Sequence, residues 1–310
     1  MIFCGETISP GERKKIRIPV PGAEPLYAIC LCGKLPGRTL AVTAGVHGCE
    51  YVGIQALRAL ASELSPAELS GNVILLPLAN PTGFFARAKQ VVPEDGLNLN
   101  RAFPGDENGS LTARLAYALE KALYPVADLI ADLHGGDCNE ALCPLVFASA
   151  VGDPAVNRIG REAAKVLDVP YQVRSGAKNG LYSWAVQCGI PAILIERGGQ
   201  GRWSDAETAA CRQDILSLMR YLEILAGDVS PRAQTEIIHT DYVEAEMEGF
   251  WYPLVQAGAA VRKGDLLGRL EDMDGEILQE VHAAFDGVAL YYTTALGVRT
   301  GDPLVAYGHP

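Results

Sequence analysis

The sequence predicts an α/β fold, in which a mixed, largely parallel central sheet has helices on both faces, followed by a small all-β domain. Up to about residue 225, short apolar runs alternate with amphipathic helical patterns, and such alternation is typical of strands joined by crossover helices. From about residue 236 the chain is rich in Val, Tyr and Gly, with turns about every eight to twelve residues. That spacing favours short strands and no helices.

Five apolar runs have no polar face, which is expected of strands that are covered on both sides. They are TLAVTAG (39–45), NVILLPLAN (72–80), ADLIADLHGG (127–136), PLVFASA (144–150) and PAILIERGG (191–199). Helical patterns lie between them at 51–64, 111–123 and 155–167. A further helix is predicted after Ser204, because Ser204 and Glu207 have the spacing of a capping box.

The segment AGDVSPRAQT (226–235) is small, polar and interrupted by proline, so it is expected to link two domains. The predicted domains are residues 1–228, which form the α/β part, and residues 236–310, which form the β part. Within the second, AVRKGDLLGRL (260–270) is echoed by GVRTGDPLVAY (297–307). This half-repeat resembles the barrel-sandwich fold of biotinyl and lipoyl domains. The corresponding hairpin tip EDMDGE (271–276) has no lysine to carry a cofactor, so a structural or lid role is predicted.

Composition narrows the class of partner. The formal net charge of −11 argues against nucleic acid or an anionic membrane surface as the main partner. No apolar run approaches the roughly 20 residues of a membrane helix, and the N-terminal residues lack the pattern of a secretory signal. Eight cysteines without any C-x-x-C pair indicate reduced thiols and a cytoplasmic location.

The first candidate for chemistry is TAGVHGCEYVG (43–53), where His47 and Glu50 follow an apolar run. Side chains three residues apart on a helical turn point to the same side, so an imidazole and a carboxylate placed there can hold one zinc ion. The alternative is a plain turn with a solvated glutamate. The motif H-x-x-E is common by chance, and it does not decide between the two.

Two further strand ends favour the metal site. His134 ends one predicted strand before Gly135 and Gly136, and Glu196 ends another before Gly198 and Gly199. Open α/β sheets bind their ligands at the carboxyl edge of the parallel strands. We therefore expect His47, Glu50, His134 and Glu196 to meet at that edge, with His47, Glu50 and His134 as ligands of one Zn²⁺ per chain.

The stretch GLNLNRAFPG (96–105) places Asn100 and Arg101 in a turn. A guanidinium group binds carboxylates with two charge-assisted hydrogen bonds, so this pair is a candidate for binding the carboxylate of a substrate. An Asx-turn with a surface arginine is the alternative.

Together these motifs resemble the succinylglutamate desuccinylase and aspartoacylase family, a branch of the zinc carboxypeptidase-like fold. The resemblance covers about residues 35–225, and the appended β-domain is also similar to one that members of this family carry. It implies that Glu196 is the general base and acid, that Asn100 and Arg101 hold a substrate carboxylate, and that the substrate is a small N-acyl amino acid or related amide. It also implies an arginine that stabilises the oxyanion. The position expected for it is nearer Gln90, so the candidates for this role are Arg87, Lys89, a residue of a partner chain or zinc alone, and Arg87 is taken as the substrate-binding candidate.

Three other functions are compatible with these residues. A metallocarboxypeptidase would share the metal site and the residues that bind the substrate carboxylate. A non-catalytic binding or sensor protein would be expected to lack a ligand or Glu196, and this chain lacks neither. A cysteine hydrolase would use Cys49 or Cys138, each near a histidine in sequence. The β-domain could cover the mouth of the active site or pair subunits in a homo-oligomer.

Overall fold

The computed structural model describes all residues from Met1 to Pro310. Twelve strands lie in the first three quarters of the chain: β1 (Ile2–Phe3), β2 (Glu6–Thr7), β3 (Arg13–Ile18), β4 (Leu26–Cys32), β5 (Leu35–Ala44), β6 (Ser70–Leu76), β7 (Leu129–His134), β8 (Glu140–Leu142), β9 (Leu145–Ser149), β10 (Tyr171–Ser175), β11 (Ala192–Glu196) and β12 (Thr235–Ile237). The α-helices are α1 (Tyr51–Glu63), α2 (Pro81–Ala86), α3 (Leu111–Leu123), α4 (Pro154–Ala164), α5 (Leu181–Gln187) and α6 (Asp205–Tyr221). Two short 3₁₀ helices span Pro66–Glu68 and Leu99–Arg101.

Nine of these strands form one sheet in the order β12-β10-β9-β11-β7-β5-β6-β4-β3. Five of its eight pairings are parallel, and three are antiparallel. The predicted mixed, largely parallel sheet is therefore confirmed. The three central strands β11, β7 and β5 run in the same direction, so their carboxyl ends lie together at one edge.

Helices cover both faces of this sheet, as predicted. Strand side chains alternate between the faces, so Ala41 packs into one hydrophobic core and Leu40 and Val42 into the other. The first core also contains residues of α3 and α5, and the second contains residues of α1, α4 and α6. Both faces are thus closed, which explains why these strands are apolar throughout.

Two details differ from the predictions. The elements that were not predicted are strands β1, β2, β3, β4, β8, β10 and β12 and helices α2 and α5. Strand β12 begins at the last residue of the expected linker. The expected capping box at Ser204 is only half formed. Ser204 Oγ accepts a hydrogen bond from the backbone N–H of Glu207 at 3.2 Å, whereas the Glu207 carboxylate lies 3.7 Å from Arg197 Nη1. The buried guanidinium attracts the carboxylate that would otherwise complete the cap.

The rest of the chain forms eight strands: β13 (His239–Glu244), β14 (Gly249–Pro253), β15 (Ala260–Val261), β16 (Leu266–Glu271), β17 (Ile277–His282), β18 (Gly287–Thr293), β19 (Gly297–Val298) and β20 (Pro303–His309). They make two antiparallel sheets around a core that contains Trp251 and Tyr307. The expected all-β part is therefore present. Strand β8, from the α/β part, pairs with β18 and extends one of these sheets. The exact domain boundaries stay a prediction.

The two halves of the sequence repeat adopt the same turn. The backbone N–H of Arg262 donates to Asp265 Oδ2, and that of Arg299 donates to Asp302 Oδ2, both at 2.8 Å. At the hairpin tip between β16 and β17, Asp272 Oδ1 accepts the backbone N–H groups of Asp274 and Glu276 at 2.9 Å. The internal symmetry read from the sequence is thus a property of the fold.

Candidate metal centre and substrate cleft

The three central strands of the large sheet bring the four predicted residues to one edge. His134 and Glu196 are the last residues of β7 and β11, and they are register partners on these parallel strands. His47 follows β5 after a short turn, and Glu50 is the N-cap residue of α1. The expected meeting of these side chains at the carboxyl edge is therefore observed.

The turn that carries His47 is fixed by close packing. A Cβ atom at Gly48 would lie 2.2 Å from the carbonyl of Gly83 in α2, so only glycine fits there. Asn80 caps α2 by accepting the Gly83 N–H at 2.9 Å, and its Nδ2 donates to the Val46 carbonyl at 3.4 Å. The Asn80-Pro81 pair thus starts α2 and holds this helix against the turn that carries His47.

His47, Glu50 and His134 form a compact, buried cluster. Glu50 lies between the two rings, with Oε1 at 2.7 Å from His47 Nδ1 and Oε2 at 2.9 Å from His134 Nδ1. The ring centroids of the two histidines are 4.9 Å apart. All three side chains are less than a tenth exposed. The two histidines therefore direct one imidazole nitrogen each, and Glu50 its carboxylate, at a common point.

The other ring nitrogens are held by polar partners. His134 Nε2 lies 3.2 Å from Asp132 Oδ2, and Asp132 Oδ1 accepts the Thr43 hydroxyl at 2.7 Å. His47 Nε2 lies 3.1 Å from Asn98 Oδ1. Because these partners are acceptors, each ring donates from Nε2, and its Nδ1 faces Glu50. Carboxylates and amides that hold histidine ligands in this way are usual around metal ions.

This arrangement suits a cation. Two imidazole nitrogens meet a buried carboxylate, which is favourable only when protons or a metal ion lie between them. Glu196 Oε2 is also buried without a hydrogen-bond donor. Two imidazole nitrogens and a carboxylate are a donor set that suits zinc and leaves a fourth position open. The residues present therefore fit a catalytic zinc ion.

The pKa values reflect this excess of negative charge. Burial acts to raise the pKa of Glu50, but the charges of His47 and His134 lower it overall to about 2. Burial acts to lower the pKa of His134, but Asp132 and Glu50 raise it well above its usual range. Burial, and after it the charge of Glu50, raises the pKa of Glu196 to about 8. In the metal-free protein, protons take the place that a metal ion would occupy.

The cluster opens into a cleft of about 710 Å³, a size that suits a small molecule. Glu196 and Asn100 line it together with Arg101 and Gln90. Six residues of the segment 173–189 also line it: Arg174, Ser175, Gly176, Ala177, Gly180 and Tyr182. Five residues of the β part complete the wall: Thr240, Tyr242, Glu244, Tyr291 and Pro303.

Asn100 and Arg101 stand differently in the cleft. Asn100 is buried, and its Oδ1 accepts the backbone N–H of Leu181 at 3.1 Å, which leaves the amide nitrogen for a ligand. Arg101 is exposed, and its Nη1 donates to its neighbour's carbonyl, that of Asn100, at 2.8 Å. The guanidinium therefore keeps donors that face solvent and the cleft.

The structure does not bring Arg87 to this cleft. Arg87 ends α2 in the left-handed conformation and lines a separate surface pocket beside Tyr51 and Trp203. Gln90 occupies the position at the cleft where the sequence resemblance implies an arginine. Cys49 and Cys138 line no part of the cleft, and Cys49 Sγ donates to the Arg87 carbonyl at 3.1 Å. The geometry offers no support for a cysteine nucleophile.

Several residues of the cleft and of the metal cluster's surroundings were not identified from the sequence. Asp132 could have been found, because it precedes His134 by two residues on the same strand and therefore shares its face. Glu140 also lines the cleft, with Oε1 at 3.7 Å from Lys89 Nζ. Tyr242 and Tyr291 come from the β part, with ring centroids 6.2 Å apart, and no local pattern marks them.

Comparisons with known proteins lead to one family. Residues 36–222 match the sequence profile of the succinylglutamate desuccinylase/aspartoacylase catalytic domain. The N-alpha-acetyl-L-2,4-diaminobutyric acid deacetylase of Halomonas elongata is 30% identical over 278 residues, which are 86% of this chain and 81% of that protein.

Solved structures are similar over nearly the whole chain. The product-bound ectoine utilization protein EutE (DoeB) of Ruegeria pomeroyi has a TM-score of 0.87 at 27% identity, covering 97% of this chain and 98% of that chain. A succinylglutamate desuccinylase/aspartoacylase from Rhodobacter sphaeroides has a TM-score of 0.88 at 26% identity, covering 99% and 98%. None of the helices combines the length and the apolar character needed to cross a membrane.

Proposed function

Because the chain belongs to the succinylglutamate desuccinylase/aspartoacylase family, we propose that it is a zinc-dependent deacylase that hydrolyses the amide bond of a small N-acyl amino acid. The observation that carries the proposal is the cluster of His47, Glu50 and His134 at the end of a cleft that Glu196 also lines. The proposed cofactor is one zinc ion per chain, held by those three side chains.

Zinc, when bound at such a site, lowers the pKa of a coordinated water towards about 7 and polarises a nearby carbonyl. Glu196 is the proposed general base and acid. Its buried Oε2, which has no hydrogen-bond donor, would accept a proton from the attacking water and return it to the nitrogen of the leaving amine. Proton transfer of this kind contributes typically about 10²–10⁴-fold to a rate. The products are a carboxylate and a free amine.

The raised pKa of Glu196 is compatible with this role. Part of the shift comes from the negative charge of Glu50, and that contribution falls once a divalent cation binds the Glu50 carboxylate. Glu196 is then ionised when the water attacks the carbonyl, and it can still hold a proton when the amine leaves.

Arg101 and Asn100 are proposed to hold the carboxylate of the substrate. A guanidinium can give two parallel hydrogen bonds to a carboxylate, and the amide of Asn100 adds a neutral donor. Both residues line the cleft together with His47 and Glu196. The substrate carboxylate would thus be held at one side while its amide lies beside the metal cluster.

Gln90 is proposed to donate a hydrogen bond to the oxyanion that forms from the amide carbonyl. A neutral amide donor stabilises such charge less than a guanidinium does. We expect Gln90→Ala to lower kcat by about 10-fold or more with little change in KM, and Gln90→Arg to restore or exceed the wild-type rate. Equal kcat in all three proteins would remove Gln90 from the mechanism. The role of Arg87 stays a prediction from sequence.

We further propose that the leaving amino acid carries a second ammonium group. Besides Glu50 and Glu196, the cleft has carboxylates at Glu140 and Glu244. Glu140 lies 3.7 Å from Lys89 Nζ, so Glu244 is the carboxylate proposed to pair with a cationic side chain, whereas a second substrate carboxylate would be repelled. The relative from Halomonas elongata acts, by its name, on a diaminobutyric acid derivative, and this chemistry fits the same charge pattern.

The test is a hydrolysis screen with purified, zinc-loaded protein. The panel contains N-acetyl-2,4-diaminobutyrate, N-acetylaspartate, N-succinylglutamate and short peptides. We expect turnover with N-acyl amino acids, highest for the diamino compound, and none with peptides. Turnover of N-acetylaspartate or N-succinylglutamate above the diamino compound would overturn the second ammonium, and carboxy-terminal trimming of peptides would favour a carboxypeptidase.

Two variants test the roles at the centre. His134→Ala is expected to lose zinc. Glu196→Gln is expected to keep zinc and lose at least about 10²-fold in kcat. Glu107→Gln, an exposed site away from the cleft, is the matched control and should behave as wild type. Normal hydrolysis by Glu196→Gln would show that another group moves the proton. The cytoplasmic location and the homo-oligomer stay predictions.

A further inference from the structure

A second group of metal-ligating side chains lies next to the turn of His47 but outside the cleft. It consists of Cys49, Asp137 and Cys138, whose thiol and carboxylate donor atoms all lie within 4.8 Å of one another. None of the three lines the substrate cleft. The proposed hydrolysis does not use them.

One oxygen of the carboxylate in this group lacks a hydrogen-bond partner. Asp137 is 0% exposed, yet its Oδ2 makes no hydrogen bond. Its Oδ1 accepts the backbone N–H of Cys138 at 2.6 Å, which fixes the side chain in place. A buried carboxylate oxygen without a donor is unfavourable, and in proteins such an oxygen is usually paired with a donor or a cation.

The neighbouring donors are sulfur atoms on two different segments. Cys49 is buried, between the two ligands His47 and Glu50, and Cys138 is exposed on the loop after His134. Lys89 lies on this side of the protein, but its Nζ is directed at Glu140 at 3.7 Å. Two thiolates and a carboxylate suit a thiophilic divalent cation, and the exposed Cys138 provides a path of entry.

We propose that Cys49, Asp137 and Cys138 form a second metal site, for zinc or a similarly thiophilic divalent cation, separate from the histidine cluster. Binding would displace the two thiol protons, and solvent would complete the coordination. A cation there ties the turn that carries His47 and Glu50 to the loop that follows His134. The second site would therefore stabilise the two segments next to the proposed ligands of the histidine cluster.

Cobalt tests this proposal, because only thiolate ligands give the intense near-ultraviolet charge-transfer absorption of Co²⁺, and the histidine cluster contains no sulfur. The full chain is reduced, freed of metal and titrated with Co²⁺. We expect two equivalents to bind in wild type, one of them with the charge-transfer band. Cys138→Ser should lose the band and one equivalent and keep the other. Cys188→Ser, at another exposed cysteine, should keep both.

Asp137→Asn gives a further check that leaves both sulfurs in place, and it should keep the band but need a higher Co²⁺ concentration to reach it. The proposal is overturned if wild type shows no thiolate band, or if Cys138→Ser keeps it. It is also overturned if reduced wild type takes up one equivalent and peptide mapping without reductant finds Cys49 linked to Cys138 by a disulfide. Failure of the hydrolysis screen would leave a positive cobalt result unaffected.

Discussion

Asp132→Asn tests how far the surroundings of the cluster determine its metal affinity. The carboxylate of Asp132 is 0% exposed, receives the Thr43 hydroxyl at 2.7 Å and lies 3.2 Å from His134 Nε2. It therefore fixes the ring of His134 and raises the electron density at Nδ1, which faces Glu50. Asparagine keeps the shape and removes the charge.

The magnitude follows from the hydrogen bond. A bond to a charged group contributes about 1.5–3 kcal/mol, and a neutral one about 0.5–1.5 kcal/mol, so the substitution loses about 1–1.5 kcal/mol. That corresponds to roughly tenfold in affinity. Outer partners of metal-bound histidines typically affect affinity by about 10–100-fold. We therefore expect zinc to bind Asp132→Asn about 10–100 times more weakly.

The assay is competition for zinc with a chromogenic chelator, with circular dichroism to confirm the fold. Thr43→Val is the matched control, because it removes the hydroxyl but keeps the carboxylate, and it should weaken zinc binding less than tenfold. Unchanged affinity in Asp132→Asn would refute the orienting role. Equal losses in the two variants would show that packing, and not the carboxylate charge, controls the site.

Three further predictions concern pH and stability. Asp132 and Glu50 raise the pKa of His134 despite its burial, so zinc must displace a proton. The affinity for zinc should therefore rise about tenfold per pH unit for each proton released. Calorimetry in buffers of different ionisation enthalpy measures that release, and a measurement of no proton release would contradict the prediction. In the metal-free protein, Glu196 stays protonated up to about pH 8, whereas the unfolded chain releases that proton near pH 4.3. The folded state thus binds more protons between these pH values, and it loses stability as pH rises. The Tm of metal-free Glu196→Gln should therefore exceed that of wild type by a margin that grows from pH 5 to 8. A margin that stays constant over this range would contradict the raised pKa of Glu196. Asp214→Asn should destabilise the protein by about 3–5 kcal/mol, because it leaves a buried guanidinium without its carboxylate: Arg197 Nε lies 2.6 Å from Asp214 Oδ2, and both side chains are buried. Urea unfolding measures the loss, and a cost below about 1 kcal/mol would indicate that water reaches Arg197.

The centre of the fold could be predicted because its strands carry a strong pattern. β7 and β11 are apolar on both faces and end in His134 and Glu196, and β5 leads into the turn of His47. The sequence alone therefore predicted that these three residues meet at one edge. Strand β3, RKKIRI, buries only Ile16 and Ile18. Its four charged residues make the alternation of apolar and polar side chains too short to indicate a strand. β12 has three residues and depends on its partner β10 for its conformation.

The wall of the cleft could not be predicted in the same way. Tyr242 and Tyr291 reach it through the pairing of the small sheets, which depends on contacts between distant parts of the chain. Gln90 lies in a loop whose left-handed backbone carries no sequence signal, and its φ is 57°. Arg87 has the charge expected of an oxyanion partner, but the left-handed end of α2 turns it to another surface.

The pairing of β8 with β18 has a mechanical consequence. β8 starts only a short loop after His134, and its register sets Leu142 opposite Tyr291 and Glu140 opposite Thr293. The backbone that bears a proposed metal ligand therefore continues directly into the sheet that forms one wall of the cleft. A hinge opening of that wall would pull on His134 itself. The wall of the cleft and the backbone of His134 are therefore expected to move together, so that the width of the cleft is coupled to the position of His134.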